Sequence, residues 1–344
     1  MKNNRKIVIK DIAKRAGVAI STVSFVINKS KPVKKDTKEK VLKAIKELNY
    51  TPSSYARGLR TKKTNTVGVI IPDISTPYFS HVTRGMEEAS RKRGYTTILG
   101  CTFFKSKEEE QQIDSLINHF VDGIILLSGV DNKKLVEKIY NKNIPLVLTD
   151  RISNNPEIPS VLIDDFAAME NVVDYLYGLG HRKIGYITIP FKNISVVKNR
   201  FLGYKSGLEK NRIYYEEKFV LIDNNVKPGN LFITEEGFNE ILSREDLPTV
   251  YIVFSDTNAL LLIKRLKMKG LRVPMDISIF GYGNLFFSEL YDPTLTTIKT
   301  PKKKMGSISM DLLLDMIEGK SIKNSRIILP TEIIERESVI SPNK

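Results

Sequence analysis

Apolar residues in the first fifty positions recur at helical spacing, and turn-forming residues interrupt them twice. The first series occupies residues 9–16 and ends at Gly17, the second occupies residues 22–27, and the third occupies residues 41–48. Spacings of three and four place the apolar side chains of each series on one helix face. The pattern therefore predicts three short amphipathic helices that share a small core, with a tight turn between the first two.

From Thr66 onward the pattern changes to short apolar runs that alternate with helical segments. The first runs are "TVGVIIPD", "YTTILGCT", "GIILLS" and "PLVLTD". A second series begins near "PSVLIDD" and continues through "KIGYITIP", "KFVLI", "TVYIVFS" and "SISIFGYG". Repeated strand–helix units predict a parallel sheet with helices on both faces. Two such series predict an α/β core of two doubly wound lobes with a cleft between them, behind an all-α head.

Positive charge is concentrated in the first fifth of the chain. Residues 1–63 contain 18 Lys and Arg against 4 Asp and Glu, whereas the rest of the 344-residue chain contains 36 against 35. A local basic excess is typical of a disordered tail, a membrane-surface segment or a nucleic-acid-binding module. The three-helix pattern favours a folded DNA-binding module, with a basic helical bundle that binds nothing in particular as the alternative.

Composition sets further limits on the class of protein. With 41% hydrophobic and 27% charged residues, the chain has the balance of a globular protein, and its length predicts two or three domains. Cys101 is the single cysteine, and His81, His119 and His181 lie far apart, so we expect neither an intrachain disulfide nor a metal site. The sequence has neither a signal peptide nor an apolar run of about 18 residues. We therefore expect a cytoplasmic protein that does not enter a membrane.

Sequence motifs of enzymes are not found. Asp164 and Asp165 are adjacent, and neighbours on an extended strand point to opposite faces, so the pair does not suit acid–base catalysis. We expect Asp165 to cap a helix. Gly281 and Gly283 lack the third glycine of a dinucleotide fingerprint, and the sequence contains neither a GxxxxGK phosphate loop nor a GxSxG elbow. The sequence thus predicts no catalytic residues and a protein that is not an enzyme.

The second predicted helix is the candidate reader of DNA bases. In a helix-turn-helix, the start of the second helix enters the major groove, where base edges present distinct donors and acceptors. The exposed positions of this helix are Ile20, Ser21, Thr22 and Phe25. Residues 51–65, between the head and the first strand, contain a proline, small residues and cations, which is the composition of a linker.

The head and the linker carry two long motifs, and shorter ones follow along nearly the whole chain. The long motifs are "IKDIAKRAGVAISTVSFVIN" and "VLKAIKELNYTPSSYARGLRTKKTNTVGVIIPDIS". The shorter ones are "VDGIILLS", "IPLVLTDR", "GHRKIGYI", "NRFLGYKSGL", "DPTLTTIKTP" and "EIIERES". Together they resemble the LacI/GalR family of transcription regulators, of the catabolite-control and sugar-responsive repressor type. The resemblance implies a core of the periplasmic-binding-protein type behind a helix-turn-helix head.

The resemblance also implies domain bounds and a mode of DNA binding. The bounds are a helix-turn-helix domain at 1–50, a hinge at 51–65, a first lobe at 66–163 plus 294–320, and a second lobe at 164–293 plus 321–340. The hinge forms a short helix when two subunits meet on DNA, and Leu59 enters the minor groove as an apolar wedge. The implied DNA-binding residues are Lys10, Ile20, Ser21, Thr22, Ser24, Phe25, Asn28, Ser53, Tyr55, Ala56, Arg57 and Leu59.

For the core, the resemblance implies a small-molecule effector, a sugar or sugar phosphate, bound between the lobes. Ligands of open α/β sheets lie beyond the carboxyl ends of strands, and a mixture of Asp, Arg and aromatic side chains suits a polyhydroxylated compound. The implied effector-binding residues are Ser75, Tyr78, Phe79, Asp150, Arg151, Arg200, Asp256 and Gly283. Structural roles stay open as alternatives: helix caps for the two aspartates, core positions for the two aromatics, and a surface ion pair for Arg200.

Five positions depart from the usual family pattern. Ala19 and Lys34 stand where serines usually cap the second and third helices, and a missing cap costs about 1 kcal/mol. Phe25 replaces the Arg, His or Tyr common in the recognition helix, and its ring suits a thymine methyl rather than a base hydrogen bond. Ser255 replaces an asparagine, and Gly283 replaces an aspartate of many sugar-responsive members. Neither the operator sequence nor the effector is therefore carried over by analogy.

The implied partners are near-palindromic operator DNA, the effector and a second copy of the chain, because a helix-turn-helix dimer matches a palindromic site. No cofactor is expected besides the effector. The resemblance leaves open whether a protein corepressor takes part and whether the effector releases or strengthens DNA binding. The alternative from another class is a periplasmic-type ligand-binding protein without a DNA role, against which the basic head and the missing signal peptide argue.

Overall fold

The structure, a computed structural model, divides into two compact units: Met1–Thr64, here called the head, and Asn65–Lys344, here called the core. It describes residues 7–28, 30–50, 63–127, 129, 131–190, 194–227, 229–322 and 324–342. Most of the predicted hinge lies outside the described residues. The predicted DNA contacts of that segment, Ser53, Tyr55, Ala56, Arg57 and Leu59, lie outside them as well.

The head contains the three helices that the apolar pattern predicts. They are α1 (Ile9–Ala16), α2 (Ile20–Asn28) and α3 (Lys35–Glu47). Gly17 ends α1 with a φ of 68°, a left-handed conformation that glycine adopts without the steric penalty of a Cβ. Each helix turns apolar side chains inward, and Ile12, Val23 and Val41 are fully buried where they meet. The helix-turn-helix fold of the head is confirmed.

The first lobe of the core is a parallel sheet covered by helices. Its strands are β1 (Thr66–Ile71), β2 (Thr96–Cys101), β3 (Gly123–Leu127), β4 (Leu146–Thr149), β5 (Ser160–Ile163) and β11 (Arg326–Leu329). They lie in the order β11-β5-β4-β3-β1-β2. Helices α4 (Pro77–Lys92), α5 (Ser106–Asn118) and α6 (Lys133–Asn141) connect successive strands. The central strands are buried runs of Val, Ile and Leu, as expected of strands covered on both faces.

The second lobe repeats this architecture. Its strands are β6 (Ile184–Thr188), β7 (Val220–Ile222), β8 (Val250–Val253), β9 (Ser278–Gly283), β10 (Thr296–Lys299) and β12 (Glu332–Ile334). Its helices are α7 (Asp165–Gly178), α8 (Ser195–Lys210), α9 (Glu235–Leu242) and α10 (Asp256–Met268), with 3₁₀ turns at Glu217–Phe219 and Phe286–Glu289. The strand order is β12-β10-β9-β8-β6-β7, with β12 antiparallel at the edge. The predicted fold class, two doubly wound lobes behind a helical head, is confirmed.

The chain crosses between the lobes after β5, after β10 and after β11. Helix α11 (Lys302–Ile317), which follows the second crossing, packs against α4 in the first lobe. The two helices meet at glycines: a Cβ on Gly306 would collide with the carbonyl oxygen of Val82, and one on Gly85 with that of Lys303. Close approach of the two backbones therefore requires glycine at both positions.

Two strands lie in the lobe opposite to the one that the sequence predicts. β10 pairs with β9 in the second-lobe sheet, although the predicted bounds assign 294–320 to the first lobe. β11 pairs with β5 in the first-lobe sheet, although the bounds assign 321–340 to the second. The partner of Arg326 is Ser160, so the choice of sheet depends on contacts distant in sequence that a local pattern does not record. β5, where the second series of apolar runs begins, also lies in the first-lobe sheet.

Candidate functional site

Helix α2 turns one side to the head core and another to solvent. Val23 and Val26 are buried, whereas Ile20 is 48% exposed and Ser21 is also exposed. Of the other predicted DNA contacts, Lys10 is exposed on α1, and Thr22, Ser24 and Phe25 are half-buried on α2. Asn28 ends α2. The exposed side chains thus lie at the start of α2, which is the part of a recognition helix that reaches base edges.

Phe25 has a cationic neighbour that the sequence analysis does not single out. The Nζ of Lys31 lies 5.2 Å from the centre of the Phe25 ring. This is a cation–π distance, and it puts a positive charge beside the predicted base-reading surface. The signal for Lys31 in the sequence is its position in the basic turn that follows α2.

The helix ends of the head are held by few side-chain caps. Lys34 precedes α3, and a lysine side chain has no acceptor to offer the first turn, as the sequence predicts. At the start of α1 the Asp11 carboxylate accepts a hydrogen bond from the Val8 backbone nitrogen at 2.9 Å. Arg15 and Glu47 form an ion pair at 2.6 Å between α1 and α3. Because both side chains are partly solvated, the pair contributes at most about 1 kcal/mol.

Within the core, a cavity of about 490 Å³ lies between the two lobes. It opens beyond the carboxyl ends of the strands, where ligands of open α/β sheets bind. Six of the predicted effector-binding residues line it: Ser75, Tyr78, Phe79 and Asp150 from the first lobe, and Arg200 and Gly283 from the second. The other two predicted residues, Arg151 and Asp256, are not among the described residues that line the cavity.

Arg200, on α8, is the central charge of the second-lobe wall. Its Nε donates to Asp165 Oδ1 at 2.7 Å, and its Nη1 donates to the Phe254 carbonyl at 3.2 Å. The guanidinium lies 3.7 Å from the ring centre of Tyr282, whose hydroxyl donates to the same Asp165 oxygen at 2.6 Å. Burial lowers the pKa of Arg200, but Asp165, Tyr282 and Asp150 together outweigh it and hold that pKa above its usual range. The arginine is therefore a buried, preorganised cation.

The prediction that Asp165 caps a helix is wrong by one residue. Asp164 is the N-cap of α7, and its Oδ1 accepts a hydrogen bond from the Ala167 backbone nitrogen at 3.0 Å. Asp165 is the first helical residue and faces inward to Arg200. The two neighbours thus point to different sides, and the cap that the sequence predicts for Asp165 is supplied by Asp164.

Asp150, at the end of β4, faces the cavity from the first lobe. Its Oδ2 accepts a hydrogen bond from the Tyr78 hydroxyl at 2.9 Å. Burial raises the pKa of Asp150 to about 7; the negative charge of Asp165 adds to the rise, and Arg200 opposes it. Burial and Asp150 also raise the pKa of Tyr78 well above its usual value. Asp150 and Arg200 line the same cavity from opposite lobes, so together they can bind a donor and an acceptor of one small molecule.

Arg151 points away from the cavity, although it follows Asp150 directly. Its Nη1 pairs with Glu109 Oε1 at 2.5 Å, and its Nη2 donates to the Asn132 carbonyl at 3.4 Å. Both charged side chains are nearly completely buried, and burial raises the pKa of Glu109 against the attraction of Arg151. The pair fixes the segment that carries Asp150.

Asp256 supports the cavity wall without lining it. Its carboxylate accepts hydrogen bonds from the Leu285 backbone nitrogen at 2.7 Å, the Ser288 hydroxyl at 2.8 Å and the Thr297 hydroxyl at 2.5 Å. The bonds from Leu285 and Ser288 hold the segment that follows Gly283. Both Gly283 and Leu285 line the cavity. Asp256 is fully buried, and burial raises its pKa.

Several lining residues are absent from the predicted set. Among them are Asp73, Phe104, Phe254, Tyr282 and Phe287. Asp73, Phe104 and Phe254 each follow a strand by one to three residues, so the strand-end rule, applied to every strand, finds them. Tyr282 lies inside β9, and Phe287 lies in a 3₁₀ turn; only the folded chain brings them to the cavity.

The described part of the chain offers neither a cluster of metal ligands nor a helix suited to span a membrane. In it, no cluster of three or more His, Cys, Asp or Glu side chains is arranged to hold a metal ion. Nor does any described helix combine the length and the apolarity that crossing a bilayer requires.

Known proteins resemble this chain along both of its units. The family model "Bacterial regulatory proteins, lacI family" matches residues 8–53, and the model "Periplasmic binding protein-like domain" matches residues 173–339. The HTH-type transcriptional repressor PurR of Vibrio atlanticus is 34% identical over 336 residues, which cover 97% of this chain and 99% of that protein. The relationship therefore extends over head and core together.

Two solved structures have the same fold. The lac repressor dimer bound to operator and the anti-inducer ONPF superposes with a TM-score of 0.83 over 98% of this chain and 100% of that chain; at 24% identity it is similar in fold alone. A LacI family transcriptional regulator from Enterococcus faecium with bound ribose has a TM-score of 0.70 and 28% identity, over 80% of this chain and 99% of that one. With a relative above 30% identity along nearly its full length, this chain belongs to the LacI family of bacterial regulatory proteins.

Proposed function

We propose that this chain is a transcription regulator, acting as a repressor, whose affinity for operator DNA is changed by a small molecule bound between the lobes of its core. One observation carries the proposal: the lacI-family head at residues 8–53 is joined in the same chain to a core with an interlobe cavity of about 490 Å³. A ligand-binding protein without a DNA role has no use for such a head. We also infer that the chain is not an enzyme, since its relatives are named as regulators.

The proposal of DNA binding rests on the fold of the head and on its positive charge. The net excess of positive charge in residues 1–63 suits the phosphate backbone, and the outer side of α2 suits the major groove. The proposed contacts in the described part are Lys10, Ile20, Ser21, Thr22, Ser24, Phe25 and Asn28. Two copies of the chain would bind a near-palindromic operator, one on each half-site. DNA as the partner also supports a cytoplasmic location.

The proposal of a small-molecule effector rests on the cavity and on two charged residues that line it, Asp150 and Arg200. Asp150 and Arg200 stand in opposite lobes, so a molecule that bonds to both stabilises one arrangement of the lobes over another. Such a difference in affinity between arrangements is what a regulating ligand requires. The ribose bound to the Enterococcus faecium relative supports a sugar as the chemical class, and a sugar phosphate is the neighbouring alternative.

Selection of DNA by the purified full chain tests the proposal. Duplexes with a randomised central region are bound, recovered and sequenced over several rounds, and the recovered sites are measured again by gel shift. We expect enrichment of a two-fold symmetric site, with a preference over random duplex of at least about a thousandfold. Recovery of unrelated sequences with equal affinity would overturn the DNA-binding role.

A further inference from the structure

Among the described residues that line the cavity, negatively charged side chains outnumber positively charged ones. Among the described residues, the charged side chains that line it are Asp73, Asp150 and Arg200. Directly behind the wall, Asp165 adds a second-lobe carboxylate. In the part of the wall that the structure describes, an anionic ligand therefore meets two carboxylates and one guanidinium, and that guanidinium is already paired with Asp165.

Two further charges behind the wall do not change this balance. Lys302 donates through its Nζ to the carbonyl of Gly283, which lines the cavity, and to that of Asn284 at 3.3 Å. The neighbouring Asp256 carries the opposite charge and attracts Lys302. The two offset each other at this side of the cavity.

Arg200 has little free charge to offer a phosphate. Two of its nitrogens donate to Asp165 and to the Phe254 carbonyl, and its plane is covered by Tyr282. A phosphate site needs several unpaired donors, usually from Arg or Lys side chains or from a helix N-terminus. One guanidinium that already pairs with a buried carboxylate does not supply them.

The helix ends that border the cavity do not replace the missing cations. The first nitrogen of α8, on Ser195, donates to the Asp131 carboxylate at 3.0 Å. The start of α10 is capped by Ser255, which accepts from the Asn258 backbone nitrogen. Helix α4 begins at Pro77, which has no N–H, and Asp73 lies one turn before it. Each of these helix ends thus has either a first-turn N–H that is already bonded or a carboxylate one turn before its start.

Much of the remaining lining is aromatic or apolar, and its uncharged polar residues are Ser75, Thr76, Asn230, Ser255, Thr257 and Asn258. Tyr78, Phe79 and Phe104 from the first lobe and Phe254, Tyr282 and Phe287 from the second line the cavity. The Asn258 amide, which also lines it, is already used: it accepts from the Ile233 nitrogen and donates to the Leu231 carbonyl, both at 2.8 Å. Asp150 and Arg200 thus offer a ligand a charged acceptor and a charged donor from opposite lobes, and the aromatic side chains of both lobes offer it flat apolar surfaces.

We propose that the cleft selects an uncharged, ring-bearing ligand whose hydroxyl groups bind Asp150 and Arg200 and whose flat face packs on aromatic side chains, and that it rejects the phosphorylated form of the same ligand. The inference rests on the proposed function, because it names the chemistry of that effector. Two sources supply such a ring: a free sugar and a nucleoside. A phosphate ester of either adds a double negative charge to a wall that is already negative.

Matched pairs of probes test the selection on the full chain at pH 8. The pairs are ribose with ribose 5-phosphate, glucose with glucose 6-phosphate, and adenosine with adenosine 5′-monophosphate, each measured by thermal shift and titration calorimetry. We expect at least one uncharged member to bind, and its ester to bind at least tenfold more weakly; the sugar and nucleoside arms identify the source of the ring. An ester that binds as tightly as its uncharged partner overturns the inference, and so does a panel in which no uncharged compound binds.

Charge-removing variants separate electrostatic rejection from a simple lack of space. Asp73→Asn and the double variant Asp73→Asn/Asp150→Asn keep the volumes of the side chains and remove one and two charges. If charge is the cause, the ratio of affinities for sugar and ester falls stepwise, by at least tenfold in the double variant. Glu332→Gln, an equal charge change on an exposed strand residue, leaves the ratio unchanged. An undiminished ratio in the double variant would mean that shape, not charge, excludes the ester.

This experiment can fail independently of the proposed function. If the chain selects a symmetric DNA site and esters bind the cleft tightly, the inference is wrong and the regulatory role stands. If the chain selects no DNA site, the regulatory role is wrong, while the probe pairs still report the charge preference of the cavity.

Discussion

The carboxylate of Asp131 accepts two hydrogen bonds from Ser195, one from the backbone nitrogen at 3.0 Å and one from the hydroxyl at 3.2 Å. Asp131 precedes α6 in the first lobe, whereas Ser195 begins α8 in the second. The residue before Ser195 is Ile194, whose side chain has no polar atom with which to cap the helix. One lobe therefore caps a helix of the other, and this helix carries Arg200.

Replacing Asp131 tests the value of this interlobe cap. We expect Asp131→Ala to lower the free energy of unfolding of the core by about 1 kcal/mol, because the first turn of α8 loses its acceptor. Asp131→Asn retains an acceptor oxygen and should lose less. Urea unfolding of the three proteins measures both effects. Equal losses for the alanine and asparagine variants would show that the hydrogen bonds contribute nothing measurable.

Asp150 should make the stability of the core depend on pH. Burial raises its pKa to about 7, whereas an aspartate in an unfolded chain titrates near 3.9. The folded state thus binds the proton more tightly, and the stability gained from protonated Asp150 is complete below about pH 4 and is lost as the pH rises through 7. Asp150→Asn removes the charge and keeps an acceptor for Tyr78. We expect the variant to unfold at a higher temperature than the wild type at pH 8, with a smaller difference at pH 5.

Thermal unfolding of both proteins at the two pH values measures this difference. His181, whose pKa burial lowers to about 4, is common to both proteins, so its contribution cancels. The same shift in unfolding temperature at pH 5 and pH 8 would mean that Asp150 does not titrate in this range.

Local pattern was sufficient for the elements and for part of the site. The three head helices and the alternating strands follow from apolar spacing, because each element buries one face or one stripe. The strand-end rule together with the family resemblance brought Tyr78, Asp150 and Arg200 to one cavity. Tyr78 and Asp150 lie next to a strand or helix end, whereas Arg200 lies inside α8 and is found through the resemblance alone.

What local pattern missed depends on contacts between distant segments. Nothing near β11 records which sheet it joins, since its partner β5 lies in a distant part of the chain, whereas β10 pairs with β9, the strand directly before it. Arg151 follows a cavity residue, but the conformation of Asp150, with a φ of 53°, turns the chain so that the next side chain meets Glu109 instead. The cap falls on Asp164 instead of Asp165 for the same kind of reason: which of two adjacent carboxylates faces Arg200 depends on where α7 begins.

Arg200 and Asp165 should be strongly coupled in stability. Arg200→Met leaves Asp165 as a buried carboxylate without its cation, which costs about 3–5 kcal/mol. Asp165→Asn in the same chain removes the uncompensated charge, so the double variant should recover much of the loss. Urea unfolding of the single and double variants measures the coupling. A double variant no more stable than Arg200→Met would exclude the electrostatic origin of the loss.

The contact between α4 and α11 makes Gly306 intolerant of a side chain. A Cβ at this position collides with the Val82 carbonyl, so we expect Gly306→Ala to separate the two helices and to lower stability by about 1–3 kcal/mol. Gly178 ends α7 with open space around its Cα, so Gly178→Ala is the matched control and should be neutral or stabilising. Comparing the thermal unfolding of the two variants tests the argument, which fails if both behave alike.

Lys31 should contribute to DNA binding through the phosphate backbone. Its ammonium lies beside Phe25 at the outer side of α2, where the proposed function puts DNA, and each cation that neutralises a phosphate adds about 0.9 to the slope of log affinity against log salt. We therefore expect Lys31→Met to weaken binding to the selected operator and to random duplex alike, and to lower the slope by about 1.

The control is Lys267→Met, which replaces an exposed lysine of the core that pairs with Asp292, and it should leave the slope unchanged. Fluorescence anisotropy between 50 and 300 mM KCl, about the range over which counterion release dominates, gives both slopes. If Lys31→Met weakens only operator binding and keeps the slope, Lys31 acts through Phe25 and the bases instead.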